Sequence, residues 1–79
     1  MIEVHLPELG EGIKKATVSY WYFQEREKVS EKDDLVELAT DKATFNLPAP
    51  ASGILTQIFF REGDTVSVGE MLGIIEDNP

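Results

Sequence analysis

The chain is 79 residues long, has no cysteine, and sets 15 acidic against 7 basic residues for a net charge of −8. That length suits one domain, and the missing thiols exclude disulfides and thiolate metal sites. The acidity excludes nucleic acid as a partner and disfavours anionic membranes, since both need clustered Lys and Arg; it favours solubility and a basic protein partner.

In chain order, Ile2-Glu3-Val4-His5-Leu6 alternates apolar and polar residues and reads as a strand ended by Pro7. Glu8 to Gly12 reads as a loop, with Gly10 and Gly12 giving flexibility or positive φ. Ala16 to Phe23 is rich in aromatics and valine, which favour a sheet. A charged turn at Glu25 to Lys28 precedes a very short strand at Val29. Leu35 to Ala39 and Thr44 to Leu47 form the next pair of strands. Pro48 to Gly53 is a break. Ile54 to Phe60 is the longest apolar strand, Glu62-Gly63-Asp64 turns the chain, Val66 is a second short strand, and Met71 to Glu76 closes the domain. Short strands with regular turn signals predict an all-β fold, a sandwich or flattened barrel. Asp77-Asn78-Pro79 reads as a linker, so residues 1–77 are the expected domain and 78–79 the start of a connection to a longer parent chain. Charged residues and Pro7 break up any signal-peptide core near the N-terminus. No apolar run approaches spanning length. The expected location is therefore intracellular: cytoplasmic, or the mitochondrial matrix in a eukaryote.

The residue most suggestive of chemistry is Lys42, in Thr40-Asp41-Lys42-Ala43 between two strands. Asp41 is expected to bond its local backbone, as Asp does in turns. A turn between paired strands projects its side chains away from the sheet, so the lysine is offered to solvent on a rigid tip. That suits a lysine modified by another enzyme. It does not suit a catalytic lysine, which needs burial or a cationic neighbour to lower its pKa. Exposed hairpin lysines also serve solubility alone.

The two halves of the chain match. The constant offset that carries Phe23 onto Phe60 also carries Glu25 onto Glu62, Val29-Ser30 onto Val66-Ser67, Leu35 onto Leu72, Val18 onto Leu55, Trp21 onto Ile58 and Leu38 onto Ile75. Two copies are too few for a solenoid, so a pair of similar sheets about a pseudo-twofold axis is predicted. The expected core is Val4, Leu6, Trp21, Phe23, Val29, Leu35, Leu38, Leu55, Ile58, Phe60, Val66, Leu72 and Ile75.

No constellation makes an enzyme. His5 is the only histidine and sits beside Glu3 in a strand, a structural position. Gly10-Glu11-Gly12-Ile13-Lys14-Lys15 lacks the third glycine of a dinucleotide loop. Tyr20, Trp21 and Tyr22 have little positive charge nearby, which favours packing over base stacking.

Leu6-Pro7-Glu8-Leu9-Gly10-Glu11-Gly12, Thr40-Asp41-Lys42, Pro48 to Gly53 and Glu62-Gly63-Asp64-Thr65-Val66 follow one another at characteristic distances. In these the chain resembles the lipoyl domain of the dihydrolipoamide acyltransferases, core components of 2-oxo acid dehydrogenase complexes. The resemblance implies a flattened β-barrel of two four-stranded antiparallel sheets, with the lysine hairpin at one end. It also implies lipoic acid in amide linkage to Lys42, held in the turn formed by Thr40, Asp41 and Ala43. The domain would be a carrier without an active site. Its arm would pass acyl groups and reducing equivalents from a thiamine-dependent decarboxylase to the acyltransferase core and to a dihydrolipoyl dehydrogenase, after loading by lipoate ligase or a lipoyl transferase. In that fold the Glu8–Gly12 loop lies beside the hairpin, which makes Glu8, Gly10, Glu11 and Gly12 candidates for partner recognition. Alternatives are a biotin carrier domain, which normally has methionine on both sides of its lysine where this chain has Asp41 and Ala43, a glycine-cleavage carrier, which is longer, and an unmodified interaction module. Two departures stand out: Glu25-Arg26-Glu27 replaces a Glu-Gly-Asp turn, and Lys32-Asp33-Asp34 lacks a later glycine. If those turns need positive φ, the chain bears strain there or uses another turn type.

Overall fold

Alternation decides which face of each strand turns inward. In Lys15–Trp21 the side chains of Ala16, Val18 and Trp21 are buried while Lys15, Thr17 and Tyr20 face out. The computed structural model describes residues 1–77; the expected linker start at Asn78 and Pro79 lies outside the described residues. The strands are β1 (Ile2–His5), β2 (Lys15–Trp21), β3 (Lys28–Val29), β4 (Asp34–Ala39), β5 (Thr44–Pro48), β6 (Gly53–Ile58), β7 (Thr65–Ser67) and β8 (Met71–Glu76). They form two four-stranded antiparallel sheets, ordered β1-β8-β6-β3 and β5-β4-β2-β7, as a flattened sandwich. Among the described residues no helix is long and apolar enough to cross a membrane.

The core lies between the sheets. It holds eleven of the thirteen expected residues, and adds Ala16, Val18, Val36 and Ala49. The exceptions are Phe23 and Phe60, which are half-buried and pack against its margin. Both follow strands that end at Trp21 and Ile58, so the pleat no longer aims them inward. The Trp21 indole is buried with its polar edge satisfied, because Nε1–H donates to the Phe60 carbonyl at 2.8 Å.

The internal repeat holds down to the register. Thr17 pairs with Ala39 as Ile54 pairs with Glu76, and Trp21 with Val36 as Ile58 with Gly73. A bulge interrupts each ladder at the equivalent place, after Val18 and after Leu55. The short strands are exchanged: β7 of the second half pairs with β2, and β3 of the first half with β6. Even the strand-end contacts are reciprocal. The Trp21 N–H donates to Glu62 Oε2 at 3.3 Å, and the Ile58 N–H to Glu25 Oε2 at 2.8 Å.

The glycine-lacking turns keep the geometry of their counterparts. Gly63 and Gly69 have φ of 96° and 93°; Arg26 and Lys32, at the equivalent positions, have φ of 78° each. The flanking hydrogen bonds also match: Gln24 N–H to Glu27 Oε1 at 2.7 Å mirrors Arg61 N–H to Asp64 Oδ2 at 2.8 Å. Strain, not a different turn, is therefore the outcome. A non-glycine residue in this region costs on the order of 1 kcal/mol.

The same symmetry separates two poles. At one, β1 and β8 pair, with Ile2 opposite Ile75; at the other, β4 turns into β5. From Gly53, opposite Val29, the chain runs through β6 and the Glu62–Asp64 turn to Ser67, opposite Lys15. That path crosses the domain, whose extents are 38 × 20 × 18 Å, from one pole to the other.

Candidate functional site

The lysine hairpin is the last turn of the β4–β5 ladder, whose final pair is Ala39 and Thr44. Beyond it the Thr40 N–H donates to the Ala43 carbonyl at 2.8 Å. Neither Asp41 nor Lys42 has positive φ, so this is not the left-handed two-residue turn common in hairpins. The Thr40 hydroxyl holds it instead. Oγ1 accepts from the N–H of Lys42 at 3.2 Å and of Ala43 at 3.0 Å, and donates to the Ala43 carbonyl at 3.0 Å. The local bonding expected of Asp41 is thus made by Thr40, whose side chain closes the loop from the position before it. Asp41, Lys42 and Ala43 are exposed and Thr40 half-buried. Among the described residues no carboxylate lies within ion-pair distance of the Lys42 amine.

Beside the hairpin, on the outer face of the β5-β4-β2-β7 sheet, lies an open groove of about 780 Å³. Ala39, Thr40 and Asp41 form one wall, the Gly12–Thr17 segment the other, and Thr65 the floor on the far side of β2. Of the loop residues singled out from sequence, only Gly12 reaches this groove. Glu8, Gly10 and Glu11 are exposed outside it, the loop being closed by an Ile13 N–H to Gly10 carbonyl bond of 3.1 Å. Lys14 and Lys15 had no part in the sequence argument for a site, yet they line it. The signal available was their place directly before a strand that neighbours the lysine hairpin.

His5 is held structurally, as expected. Nδ1 meets the Gly69 carbonyl and Nε2 the Glu3 carboxylate, each at 2.9 Å. The Glu3 hydrogen bond, then the Gly69 carbonyl, raises its pKa above the usual 6.5. Among the described residues no cluster of His, Cys, Asp or Glu could hold a metal ion.

A family model described as "biotin-requiring enzyme" matches residues 2–75. The solution structure of the lipoyl domain of the 2-oxoglutarate dehydrogenase complex from Azotobacter vinelandii superposes with a TM-score of 0.81 at 33% identity, covering 100% of both chains. The chain belongs to the biotin and lipoyl attachment family, as a lipoyl domain. Longer relatives agree. The dihydrolipoyllysine-residue succinyltransferase component of the 2-oxoglutarate dehydrogenase complex of Bartonella vinsonii subsp. berkhoffii is 45% identical over 74 residues, 94% of this chain and 18% of the relative. The dihydrolipoyllysine-residue acetyltransferase component of the pyruvate dehydrogenase complex of Corynebacterium glutamicum is 36% identical over 74 residues, 94% of this chain and 11% of the relative. The lipoyl domain therefore spans under a fifth of the length of either. It is a carrier module without an active site of its own. Lys42 is an exposed lysine on a turn braced by the Thr40 hydroxyl.

Proposed function

We propose that Lys42 of this lipoyl domain carries lipoic acid in amide linkage and serves as the swinging arm of a 2-oxo acid dehydrogenase complex. The observation that carries the reading is the exposed, unpaired Lys42 amine on the tip of a braced hairpin in a lipoyl fold. The dithiolane, when bound, supplies reversible reduction and thioester formation. The chain's own contribution is position: attachment at Lys42 Nζ, a turn fixed by Thr40, and a surface on which enzymes can dock. The amide also removes the lysine's positive charge. Lysine and lipoyl chain together reach on the order of 10 Å. Tethering raises the effective concentration of the carried group at each active site, which a free carrier could not do.

The partners in this reading are a thiamine-dependent decarboxylase, the acyltransferase core of the parent chain, a dihydrolipoyl dehydrogenase, and a lipoate ligase or lipoyl transferase, working in the cytoplasm. The complexes named for the relatives handle different acids. Asp41 and Ala43, flanking the lysine, favour lipoate over biotin. Incubation with lipoate ligase, ATP and lipoic acid should give an adduct that peptide mass spectrometry maps to Lys42, and Lys42→Arg should abolish it while leaving the fold intact. Biotin at Lys42, or lipoate on Lys14, would sink the reading.

The exposed Glu8–Gly12 loop is assigned to partner recognition. Its acids, Glu8 and Glu11, suit a basic decarboxylase surface, and Gly10 and Gly12 let it stand clear of the sheet. Replacing Glu8 and Glu11 by Gln should slow reductive acylation at low salt, where exposed charges act at longer range, and leave lipoylation unchanged. An acylation rate equal to that of the parent at low salt makes the loop ordinary surface.

A further inference from the structure

The groove beside the hairpin is unlike the rest of this acidic molecule. Its only charged lining residues are Lys14, Lys15 and Asp41, in a chain with 7 basic residues and a net charge of −8. Neither lysine is in an ion pair among the described residues. Their backbone is fixed: the Val68 N–H donates to the Lys14 carbonyl at 2.9 Å, and Lys15 pairs with Ser67. Because Ala16 is buried and the pleat alternates, Lys15 shares the outer face with Thr17, whose partner on β4 is Ala39. The ladder, extended two residues, sets Lys15 level with Asp41, one strand spacing of about 5 Å from the hairpin.

The pseudo-symmetry gives these charges no counterpart in the second half. The positions equivalent to Lys14 and Lys15 in the second half are Ala51 and Ser52, directly before β6, whose pairing with β8 repeats the register of β2 with β4. The adjacent lysines Lys14 and Lys15 thus belong to the copy of the repeat that flanks the hairpin, and the other copy has an uncharged pair in their place.

We propose that this groove is a bed for the tethered arm, in which Lys14 and Lys15 hold the terminal carboxylate of an acyl group derived from a dicarboxylic acid. Ile13, Ala39 and the lysine stems supply apolar walls for the hydrocarbon part of the arm, which starts beside Thr40 and Asp41. A carboxylate at the end of the arm completes the charge balance of the groove, while an uncharged acyl group leaves both lysines unpaired. This inference rests on lipoylation of Lys42.

The test exploits the absence of cysteine: after lipoylation and reduction, the lipoyl thiols are the chain's only thiols. They are alkylated with ¹³C-carboxyl iodoacetate or with iodoacetamide, each thiolate displacing iodide. The two adducts match in size and differ in charge. The carboxymethyl adduct should shift the amide resonances of Lys14 to Thr17 and of Ala39 to Asp41 relative to the carboxamidomethyl adduct. Its carboxylates should titrate about half a pH unit lower than on the Lys14→Gln, Lys15→Gln double variant. The shift differences should collapse in that variant. Indistinguishable amide spectra for the two adducts, or a titration midpoint that the double variant does not move, overturns the proposal. So does a double variant that fails to be lipoylated while the parent adducts look alike, which assigns the lysines to the ligase. If mass spectrometry finds no lipoate on Lys42 before alkylation, the carrier reading itself fails, and the bed with it.

Discussion

At the scale of single residues, His5 shows how a surface group is tuned by acceptors alone. Both ring nitrogens face oxygens that can only accept, so the doubly protonated ring satisfies both bonds and the neutral ring only one. Its pKa is raised, so the stabilisation it gives is complete below the unfolded value near 6.5 and fades as pH climbs through the folded value. An NMR titration of this sole histidine should give a midpoint above 6.5, and Glu3→Gln should bring it down; a midpoint at or below 6.5 would show that the ring is not held as described. Residue detail was also where the sequence was least legible. Arg26 and Lys32 stand where the second half has Gly63 and Gly69; the missing glycines marked these turns in the sequence, but not whether the chain would keep positive φ there or change turn type. Val36, Ala16 and Ala49 went unnamed as core because small or flanking apolar residues give weak signals, whereas Leu38 and Ile75 stood out by alternation and by matching each other across the repeat.

At the scale of elements, the β4–β5 hairpin is stiffened by one hydroxyl. Thr40 Oγ1 makes three bonds to the turn backbone, and no glycine or left-handed residue is available to close it otherwise. Thr40→Val keeps the branched shape and removes the oxygen. Net hydrogen-bond contributions of about 1 kcal/mol each predict faster amide exchange at Lys42 and Ala43, slower lipoylation, and global stability lowered by no more than about 3 kcal/mol. Unchanged exchange at these two amides would show that the backbone holds the turn unaided. The hairpin itself was legible, since two β-rich runs flank four turn-compatible residues; the identity of its brace was not, because Asp41 and Thr40 both belong to residue types that bond turn backbone. The groove was beyond sequence reading for another reason. It joins segments on β2, β4 and β7, and strand adjacency is a property of the sheet order.

At the scale of the whole molecule, the exchanged strands β3 and β7 and the reciprocal acids Glu25 and Glu62 interlace the halves. Neither half owns a complete sheet, because each lends its short strand to the other's. Cleavage within Pro48–Gly53 should therefore yield two fragments, each unfolded alone by circular dichroism and NMR, that regain the sheet spectrum when mixed. Stable β structure in either isolated fragment would contradict this interlacing. The repeat was visible in the sequence because matched apolar positions survive in both halves; the strand exchange was not, because a pattern of similarity does not say which copy a strand joins.

The two poles have a mechanical consequence. The β1–β8 pole, where the described residues begin and end, and the lysine turn stand at opposite poles of a domain whose longest extent is 38 Å. Under the proposed attachment at Lys42, any covalent leash continuing from Ile2 or Ile75 would grip the domain at its heel, and the cargo would ride at its toe. The folded body is then a rigid spacer that adds its own length to that of the arm. In the proposed role, a docking enzyme would meet the tip away from the leash, so that capture at one active site would leave the anchor free to pivot toward the next.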